Sequence, residues 1–378
     1  MEVVGRKKPK VGATSGSFGG NRVTLTRIAR ELGVSAMTVS NAYNHPDRLS
    51  EALRERIFET AGRLGYQGPD PVGRSLRRQR TDVVGVLYSN PLSYAFDDPA
   101  AVSFLGGLSS ITEEAELGLL LVPAAGGGAS SERDPRAAAQ AAVDGFVIYS
   151  MSDEEPLLVA ALERRLPAVV VDQPRKEAVP FVGVDDEGAA RTAAEHLLDL
   201  GHERFAIVSF GLSPDGHEGI ADLDRQERTA FHVSRMRLRG YRAALEEAGL
   251  PWSGVPVYEC QGSAKELGYR AVEALFRSRQ EPTAILALSD QLALGAIEWM
   301  TQRRISVPQD VSVVGFDNIP AAASADPPLT TVHQDHAEKG RLAGRMLVAQ
   351  LHEEGSPGTG LLATRLVVRG STSPNRER

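Results

Sequence analysis

The chain has 378 residues, of which 42% are apolar, enough for two or three domains with real cores. Its single cysteine, Cys260, excludes a disulfide framework, a cysteine-rich zinc site and an iron–sulfur cluster. No apolar run approaches the ~20 residues that span a bilayer, and the polar N-terminus lacks the apolar segment of a secretory signal. We therefore expect a cytoplasmic protein without a membrane anchor.

The net charge of −7 is unevenly distributed along the chain. Residues 1–81 contain 15 Lys or Arg against 7 Asp or Glu, whereas the remainder contains 27 against 42. A basic N-terminal segment followed by an acidic remainder predicts that the basic segment binds a polyanion and that the remainder has a different function. The alternative is a basic tail that only keeps the chain in solution.

Residues 1–21 are rich in Gly, Ser and Lys without apolar periodicity, which predicts a disordered basic arm. Three short helices follow. Thr24 is predicted to cap the first helix and Gly33 to end it, because glycine adopts left-handed backbone conformations cheaply. Ser35 is predicted to cap a second helix, from Ala36 to about residue 43, and Ser50 a third.

Two helices joined by a tight glycine turn are typical of a helix-turn-helix, which places the start of its second helix in the major groove. An asparagine there can pair with adenine, while alanine and methionine can only contact apolar groups such as the thymine methyl. The alternative is a plain three-helix bundle with solvated polar side chains. The positions predicted to be exposed on the second helix are Ala36, Met37, Thr38, Ser40 and Asn41.

From residue 82 onwards, short apolar runs alternate with amphipathic helical stretches, which predicts parallel sheets covered on both faces. We expect two doubly wound parallel-sheet lobes, divided near Phe210, with a ligand crevice at the carboxyl ends of their strands. The predicted strands are Val83–Tyr88, Leu119–Val122, Phe146–Tyr149, Ala168–Asp172, Phe205–Phe210, Val255–Tyr258, Ala284–Leu288 and Val311–Phe316. A further strand is expected within Leu362–Arg369.

The segment TLTRIARELGVSAMTVSNAYN, followed by LSEALRERIFETAGRLGY, resembles the headpiece of the LacI/GalR family of bacterial transcription regulators. Dense matches in the same order continue through AEHLLDLGHERFAIVS, RMRLRGYRAALEEAGLP and ISVPQDVSVVGFDNIP. The resemblance implies an all-α helix-turn-helix headpiece on an α/β body with the periplasmic-binding-protein-like fold. It also implies operator double-stranded DNA, a small-molecule effector such as a sugar, and a homodimer as partners. The expected divisions are an arm at 1–21, a DNA-binding domain at 22–68, a hinge at 69–81 and an effector-binding and dimerisation domain at 82–378.

The hinge of this family folds on operator DNA and wedges a leucine into the minor groove, and the matching residue here is Leu76. Apolar wedges between base steps are a known means of kinking DNA, and the surrounding segment is rich in arginine. Gly73 and Pro71 depart from the family pattern and predict a weaker hinge helix. The full predicted DNA-contacting set is Thr24, Ser35, Ala36, Met37, Thr38, Ser40, Asn41, Asn44, Arg74, Leu76 and Arg77.

The same resemblance implies an effector pocket. Arg237 matches the arginine that grips effector oxygens, and the alternative is a surface salt bridge. Asp290 matches a residue that accepts hydrogen bonds from ligand hydroxyls, although an Asp at that position is also a suitable helix cap. Asp153 follows a strand end, with a solvated acid as the alternative. Asp172 and Asp317 also end strands and are interpreted as structural.

Further pocket candidates are Tyr88, Asn90 and Phe96, with burial in a loop core the favoured alternative for Phe96. Ser263 occupies the place where many family members stack an aromatic ring on the ligand, which argues against a pocket built on ring stacking. The segment 211–234 is long and charged. It contains possible metal ligands, but their spacing fits no standard metal motif, so we interpret the segment as a solvated loop. These residues are His217, Asp222, Asp224 and His232.

No Walker A, G-x-G-x-x-G, G-x-S-x-G or H-E-x-x-H pattern occurs, so the sequence predicts no enzyme, no cofactor and no metal site. The leading hypothesis is a transcription regulator, acting as a repressor, whose operator affinity is controlled by an effector. The alternative is a cytosolic small-molecule-binding protein, or an enzyme on the same fold, in which the basic segment 1–81 has another role. Whether the effector releases DNA or promotes its binding cannot be predicted from the sequence.

Overall fold

The computed structural model describes residues 23–66, 68, 80–88, 92–123, 135–277, 281–355 and 358–375. The chain divides into two compact units, Met1–Arg80 and Thr81–Arg378, here called the head and the body. Several predicted features lie outside the described residues: the basic arm, most of the hinge, and the site candidates Arg74, Leu76, Arg77 and Asn90. The predicted domain boundaries stay a prediction.

The head contains three helices, α1 (Leu25–Leu32), α2 (Ala36–Asn44) and α3 (Glu51–Leu64), with a 3-10 turn at Pro46–Arg48. Gly33 ends α1 in the left-handed conformation with a φ of 68°, which a side chain would strain. The turn therefore directs α2 away from α1 within three residues. The buried core of the head is formed by Ile28, Ala29, Val39, Ala42, Ile57 and Ala61.

The three predicted helix caps behave differently. The Ser35 hydroxyl accepts a hydrogen bond from the Thr38 backbone N–H at 3.0 Å. Thr24 and Ser50 also occupy N-cap positions, but neither side chain accepts a capping hydrogen bond, so that part of the prediction is wrong for them. Extended backbone at the cap position is thus present in all three helices, while the stabilising bond is made in one.

We expect Ser35→Ala to lower the local stability of α2 by about 1 kcal/mol, because one amide of the first turn loses its partner. Ser50→Ala is the matched control and should change α3 by much less, since its hydroxyl caps nothing. Amide hydrogen exchange of the full chain would measure both helices at once. Equal loss of protection in the two variants would contradict this assignment of the caps.

The first lobe of the body is built on a parallel sheet with the order β12-β5-β4-β3-β1-β2 among the described residues. Its helices lie on both faces, and the two longest, α5 and α14, pack along each other. The strands are β1 (Val83–Tyr88), β2 (Gly118–Pro123), β3 (Gly145–Tyr149), β4 (Ala168–Val171), β5 (Phe181–Val184) and β12 (Thr359–Leu362). The helices are α4 (Leu92–Asp97), α5 (Pro99–Glu114), α6 (Arg136–Gln140), α7 (Pro156–Glu163) and α14 (His336–Leu351).

The second lobe has the strand order β13-β11-β10-β9-β6-β8-β7 in the part of the chain that the structure describes. The central pairs are parallel, and the two edge strands β7 and β13 are antiparallel to their neighbours. The strands are β6 (Phe205–Ser209), β7 (Gly219–Ile220), β8 (Val257–Glu259), β9 (Ala284–Ala287), β10 (Ser312–Asp317), β11 (Thr330–His333) and β13 (Arg365–Val367). The helices are α8 (Asp186–Asp199), α9 (Leu223–Glu227), α10 (His232–Glu247), α11 (Lys265–Leu275), α12 (Asp290–Gln302) and α13 (Pro320–Ser324).

The chain crosses between the lobes three times within the described residues: between β5 and α8, between β11 and α14, and between β12 and β13. The predicted division near Phe210 is therefore wrong, because β6 is an internal strand of the second sheet. The segment AEHLLDLGHERFAIVS lies before Phe210, on the first-lobe side of the predicted division, but belongs to the second lobe, since α8 packs against α10. The cause is β5, whose four residues were too short to be recognised as the last strand before the crossing.

The segment 211–234 is not the solvated loop that the sequence predicted. It contains β7, α9 and the start of α10. Arg225 bonds both the exposed Asp215 and the buried Glu259, and Glu259 also accepts from the Leu212 backbone N–H at 2.7 Å. These charges bond one another instead of water, which orders the segment. No group of three or more potential metal ligands occurs among the described residues.

Candidate functional site: a helix-turn-helix face and an interlobe cleft

Helix α2 presents one face to the head core and another outwards. Val39 and Ala42 are buried, while Met37 is 70% exposed and Ala36 is also exposed. Asn41 lies one helical turn after Met37 and is half-buried, so the two share a face. This face offers one amide and one apolar side chain to a partner, the chemistry that reads base edges in the major groove.

Three other predicted contacts differ in placement. Thr24 is exposed, and Thr38 is half-buried with its hydroxyl 2.8 Å from that of Ser35. Ser40 was expected to be exposed, but it is buried, and its hydroxyl and carbonyl oxygens both accept hydrogen bonds from the Asn44 amide. The exposure prediction is therefore wrong for Ser40. Its side chain, like that of the neighbouring Val39, faces the core of the head, and its oxygens accept their hydrogen bonds from Asn44 on the same helix.

The charge of the head is concentrated outside its helical core. Residues 23–66 contain six Lys or Arg and five Asp or Glu, so they are close to neutral. Residues 1–22 add five basic and one acidic residue, and residues 67–81 add four basic and one acidic. The positive balance that favours a polyanionic partner thus flanks the helix-turn-helix in sequence on both sides.

In the body, polar side chains gather where the parallel strands of the two lobes end. Two contacts connect the lobes at the start of α10: the Gln173 side-chain carbonyl accepts from the Val233 backbone N–H at 2.9 Å, and Arg235 lies 3.9 Å from Asp153. Parallel α/β sheets bind ligands at such carboxyl edges. The cleft between the lobes is therefore the candidate ligand site.

Arg237 lies deep in this region and is only 4% exposed. Its Nε donates to the Asp186 carboxylate at 2.9 Å, and one terminal nitrogen donates to the Leu288 carbonyl at 2.5 Å. Its guanidinium carbon lies 3.5 Å from the centre of the Phe316 ring, a cation–π contact. The surface-salt-bridge alternative is wrong for Arg237, since it is a buried, oriented cation with further donors beyond these two bonds.

Asp290 is buried and is held by its own lobe. Its two carboxylate oxygens accept from the Thr331 hydroxyl at 2.5 Å and from the Ile319 backbone N–H at 2.8 Å. Burial, with the nearby Asp317 charge, raises the pKa of Asp290 well above its ordinary value. The cap of α12 is Ser289, which accepts from the Leu292 backbone N–H, so the alternative interpretation of Asp290 as the cap of this helix is wrong.

A chain of polar contacts that the sequence did not identify links the lobes at the β11–α14 crossing. The ammonium group of Lys339 donates to Asp172 and to the Gln334 side-chain oxygen, both at 2.5 Å. The Gln334 amide donates in turn to Asp317, also at 2.5 Å. Lys339 is 1% exposed, which is exceptional for a lysine. The only signal in the sequence was the position of Asp172 and Asp317 at strand ends.

The remaining pocket candidates belong to different parts of the body. Tyr88 is buried with its ring 5.2 Å from that of Tyr149, so it can form an apolar wall. Phe96 is 63% exposed on α4, which excludes the loop-core interpretation. The Ser263 hydroxyl donates to that of Ser289 at 2.7 Å, beside Asp290.

No helix in the described ranges is long and apolar enough to cross a membrane.

Comparisons with known proteins match both the head and the body of the chain. Residues 24–68 match the family described as "Bacterial regulatory proteins, lacI family", and residues 194–372 match the "Periplasmic binding protein-like domain". An HTH-type transcriptional regulator of Mycolicibacterium smegmatis is 43% identical over 363 residues, which cover 93% of this chain and 96% of that protein. Two solved structures are also similar. The lac repressor dimer bound to operator has a TM-score of 0.74 and 25% sequence identity to this chain. The CelR–cellobiose complex has a TM-score of 0.66 and 28% sequence identity. Each match covers 93% of this chain and 100% of the other chain.

The fold and the two sites thus define a DNA-binding transcription regulator with a periplasmic-binding-protein-like body, and its relatives are named as regulators and not as enzymes. The chain belongs to the LacI family of bacterial regulatory proteins. The resemblance inferred from the sequence is therefore confirmed, as is the predicted fold class.

Proposed function

We propose that this protein is a cytoplasmic repressor that binds a palindromic operator as a homodimer and changes its operator affinity when a small polyhydroxylated effector occupies the interlobe cleft. The observation that carries the proposal is the coexistence in one chain of an outward helix-turn-helix face and a cleft lined by buried, oriented charges. A single helix-turn-helix reads one half-site, so two copies related by a two-fold axis are needed for a palindrome.

The effector part of the proposal is supported by the chemistry of the cleft. Arg237 is anchored by Asp186 and Leu288 but has donors beyond those two bonds, which suit the hydroxyl oxygens of a ligand. Asp153 and Asp317 would accept from such hydroxyls. The related CelR structure is a complex with cellobiose, which supports a sugar or a sugar-like metabolite as the class of effector here.

The DNA part is supported by the α2 face and by the charge of its flanks. Asn41 and Met37 would read base edges, while the basic residues of 1–22 and 67–81 would neutralise phosphates. Association through phosphates weakens as salt rises, in proportion to the number of phosphates neutralised. Binding in the nucleoid would follow from this affinity for DNA.

We expect Asn41→Ala to relax the preference at one base pair of each half-site, because a bidentate amide–adenine pair contributes about 1–3 kcal/mol of discrimination. Selection from a random duplex library, followed by titration at two salt concentrations, would measure both sequence preference and salt slope. Glu59→Ala on α3 is the control and should preserve the preference. An Asn41→Ala protein that selects the same operator would contradict the role of Asn41. A wild-type chain that selects no sequence would contradict operator recognition itself.

A further inference from the structure

We propose that Asp98 is a specificity-determining residue of the interlobe cleft, which selects an uncharged ligand rich in hydroxyl groups and rejects its anionic analogues. This inference rests on the proposed function, because it requires an effector in that cleft. Asp98 was not among the pocket residues expected from the sequence. Its placement follows from the packing of α5 against α14.

Helices α5 and α14 pack closely enough to bring their first turns to one edge of the first lobe. A Cβ on Gly107 of α5 would lie 1.9 Å from the Ala337 carbonyl oxygen, and a Cβ on Gly340 of α14 would lie 2.1 Å from the Phe104 carbonyl oxygen. Only glycine permits this approach at both positions. Asp98 immediately precedes α5 and His336 begins α14, so the two side chains belong to the same edge.

The second lobe reaches the same edge through Asp317 at the end of β10. Its carboxylate lies 3.6 Å from His336 Nε2. Asp98 and Asp317 therefore approach the cleft from opposite lobes with His336 beside them, and Tyr88 at the end of β1 completes the group. The titratable groups that face Asp98 are thus Asp317 from β10, His336 from α14 and Tyr88 from β1.

The electrostatics of this group couple two carboxylates, Asp98 and Asp317. Burial raises the pKa of Asp98 to about 6, and the Asp317 charge adds to the effect, whereas the Ala100 backbone N–H and His336 oppose it. Burial opposes the ionisation of Asp317, but His336, Arg237 and Gln334 together hold its pKa below the ordinary value. Above pH 6 the ionised form of Asp98 predominates, and within the described residues no cation forms an ion pair with it.

Two buried side chains of the same cluster have polar atoms that make no hydrogen bond within the described residues. They are Tyr88, which is 3% exposed, through its hydroxyl, and His336, which is 8% exposed, through both ring nitrogens. Buried polar atoms without partners are uncommon in folded proteins, and each costs free energy until it is bonded. They lie next to carboxylates that need donors, so a single ligand can satisfy both needs.

A hydroxyl group is the chemistry that fits, because it donates and accepts at once. A ligand with neighbouring hydroxyls would donate to Asp98 from one lobe and to Asp317 from the other, and would accept from Tyr88. A carboxylate or phosphate in the same place would add a negative charge to two existing ones in a poorly solvated site. The cleft therefore favours neutral polyols over sugar acids and sugar phosphates.

The test compares the full-length wild type with Asp98→Asn, which removes the charge but preserves the helix cap, since Asn and Asp cap equally well. Asp98 caps α5 by accepting from the Ala100 backbone N–H at 3.1 Å. Asp222→Asn is the matched control, because Asp222 caps α9 in the same way but is exposed. The probes are ribose, glucose, cellobiose and mannitol, together with gluconate, glucuronate and glucose 6-phosphate, measured by thermal shift and calorimetry at pH 5 and pH 7.5.

We expect at least one neutral probe to bind the wild type about tenfold or more tightly than its anionic analogue. A ligand that donates to Asp98 prefers the ionised carboxylate, so its affinity is highest above pH 6 and falls as the pH drops through about 6. In Asp98→Asn the ratio of the anionic to the neutral probe's Kd should fall about tenfold. The change in the neutral probe's affinity between pH 7.5 and pH 5 should fall by a similar factor, whereas Asp222→Asn should behave as the wild type.

Three results would overturn the proposal: an anionic probe that binds as tightly as its neutral parent, an Asp98→Asn protein with unchanged selectivity and pH profile, or no binding of any neutral probe at 10 mM. Operator binding by the same proteins distinguishes this failure from failure of the proposed function. Operator recognition that persists while the ligand results fail would overturn only the role of Asp98. Loss of operator recognition in the wild type would contradict the regulator itself.

Discussion

Replacing Arg237 with alanine is expected to lower the free energy of unfolding of the body by about 3–5 kcal/mol, the usual result of removing one partner of a buried ion pair. Asp186 is 5% exposed and would remain as a buried charge without its cation. The Leu288 carbonyl would lose its donor, and the Phe316 ring its cation–π partner. Urea unfolding of the variant would show this as a reduced midpoint.

The matched control is Arg239→Ala on the same helix, because Arg239 is 62% exposed and lies 3.6 Å from Glu187. Exposed pairs contribute about 0–1 kcal/mol, so this variant should remain close to the wild type. The double variant Arg237→Met/Asp186→Asn should recover much of the lost stability, since no charge is left buried. An Arg237→Ala protein as stable as Arg239→Ala would contradict the buried pair.

The second large effect is expected for Lys339→Met, which keeps the length and the apolar stem but removes the ammonium group. Asp172 and Gln334 would both lose their donor, and the Gln334 amide that holds Asp317 would lose its orientation. We expect a loss of about 3–5 kcal/mol, because a carboxylate that is 12% exposed is left unpaired. Urea unfolding at neutral pH measures it.

Lys265→Met provides the comparison, since Lys265 and its partner Glu298 are both more than 40% exposed and their ion pair lies in solvent. Its loss should change stability by about 1 kcal/mol or less. If the two lysine variants unfold at the same urea concentration, the contact chain across the β11–α14 crossing contributes nothing beyond a surface pair.

Much of the fold could be predicted because long apolar runs alternate with amphipathic helices. The runs ending at Tyr88, Tyr149 and Phe316 mark strands that are buried on both faces, and each is present close to its predicted place. The division of the lobes could not be predicted in the same way. Strand β5 has four residues, and β12 alternates exposed and half-buried positions at a sheet edge, so neither gives a strong apolar signal.

The site shows the same difference between local and long-range information. The start of α2 follows from Gly33 and Ser35, which are close in sequence to the residues they position. Arg237 was recognisable as a pocket residue only through the family resemblance. Its partners Asp186 and Leu288 are each 51 residues away along the chain, and no local pattern connects them.

Two corrections have a common physical cause. Ser289, not Asp290, caps α12, and Ser40 faces the head core instead of the outside. In both cases neighbouring residues point about 100° apart around a helix, so a shift of one position changes which groups a side chain contacts. A sequence pattern predicts that a helix is present more reliably than it predicts which side of the helix each residue occupies.

The measurement that tests the central claim most directly is the coupling between operator and ligand. A selected operator duplex would be titrated with the full-length protein, with and without the tightest-binding neutral sugar of the probe set, and the sugar would be titrated with and without the duplex. The account predicts that the sugar changes the operator Kd and that the duplex changes the sugar Kd by the same factor, because the two sites share one coupling free energy. A sugar that binds in the cleft and leaves the operator Kd unchanged would contradict effector control of this regulator.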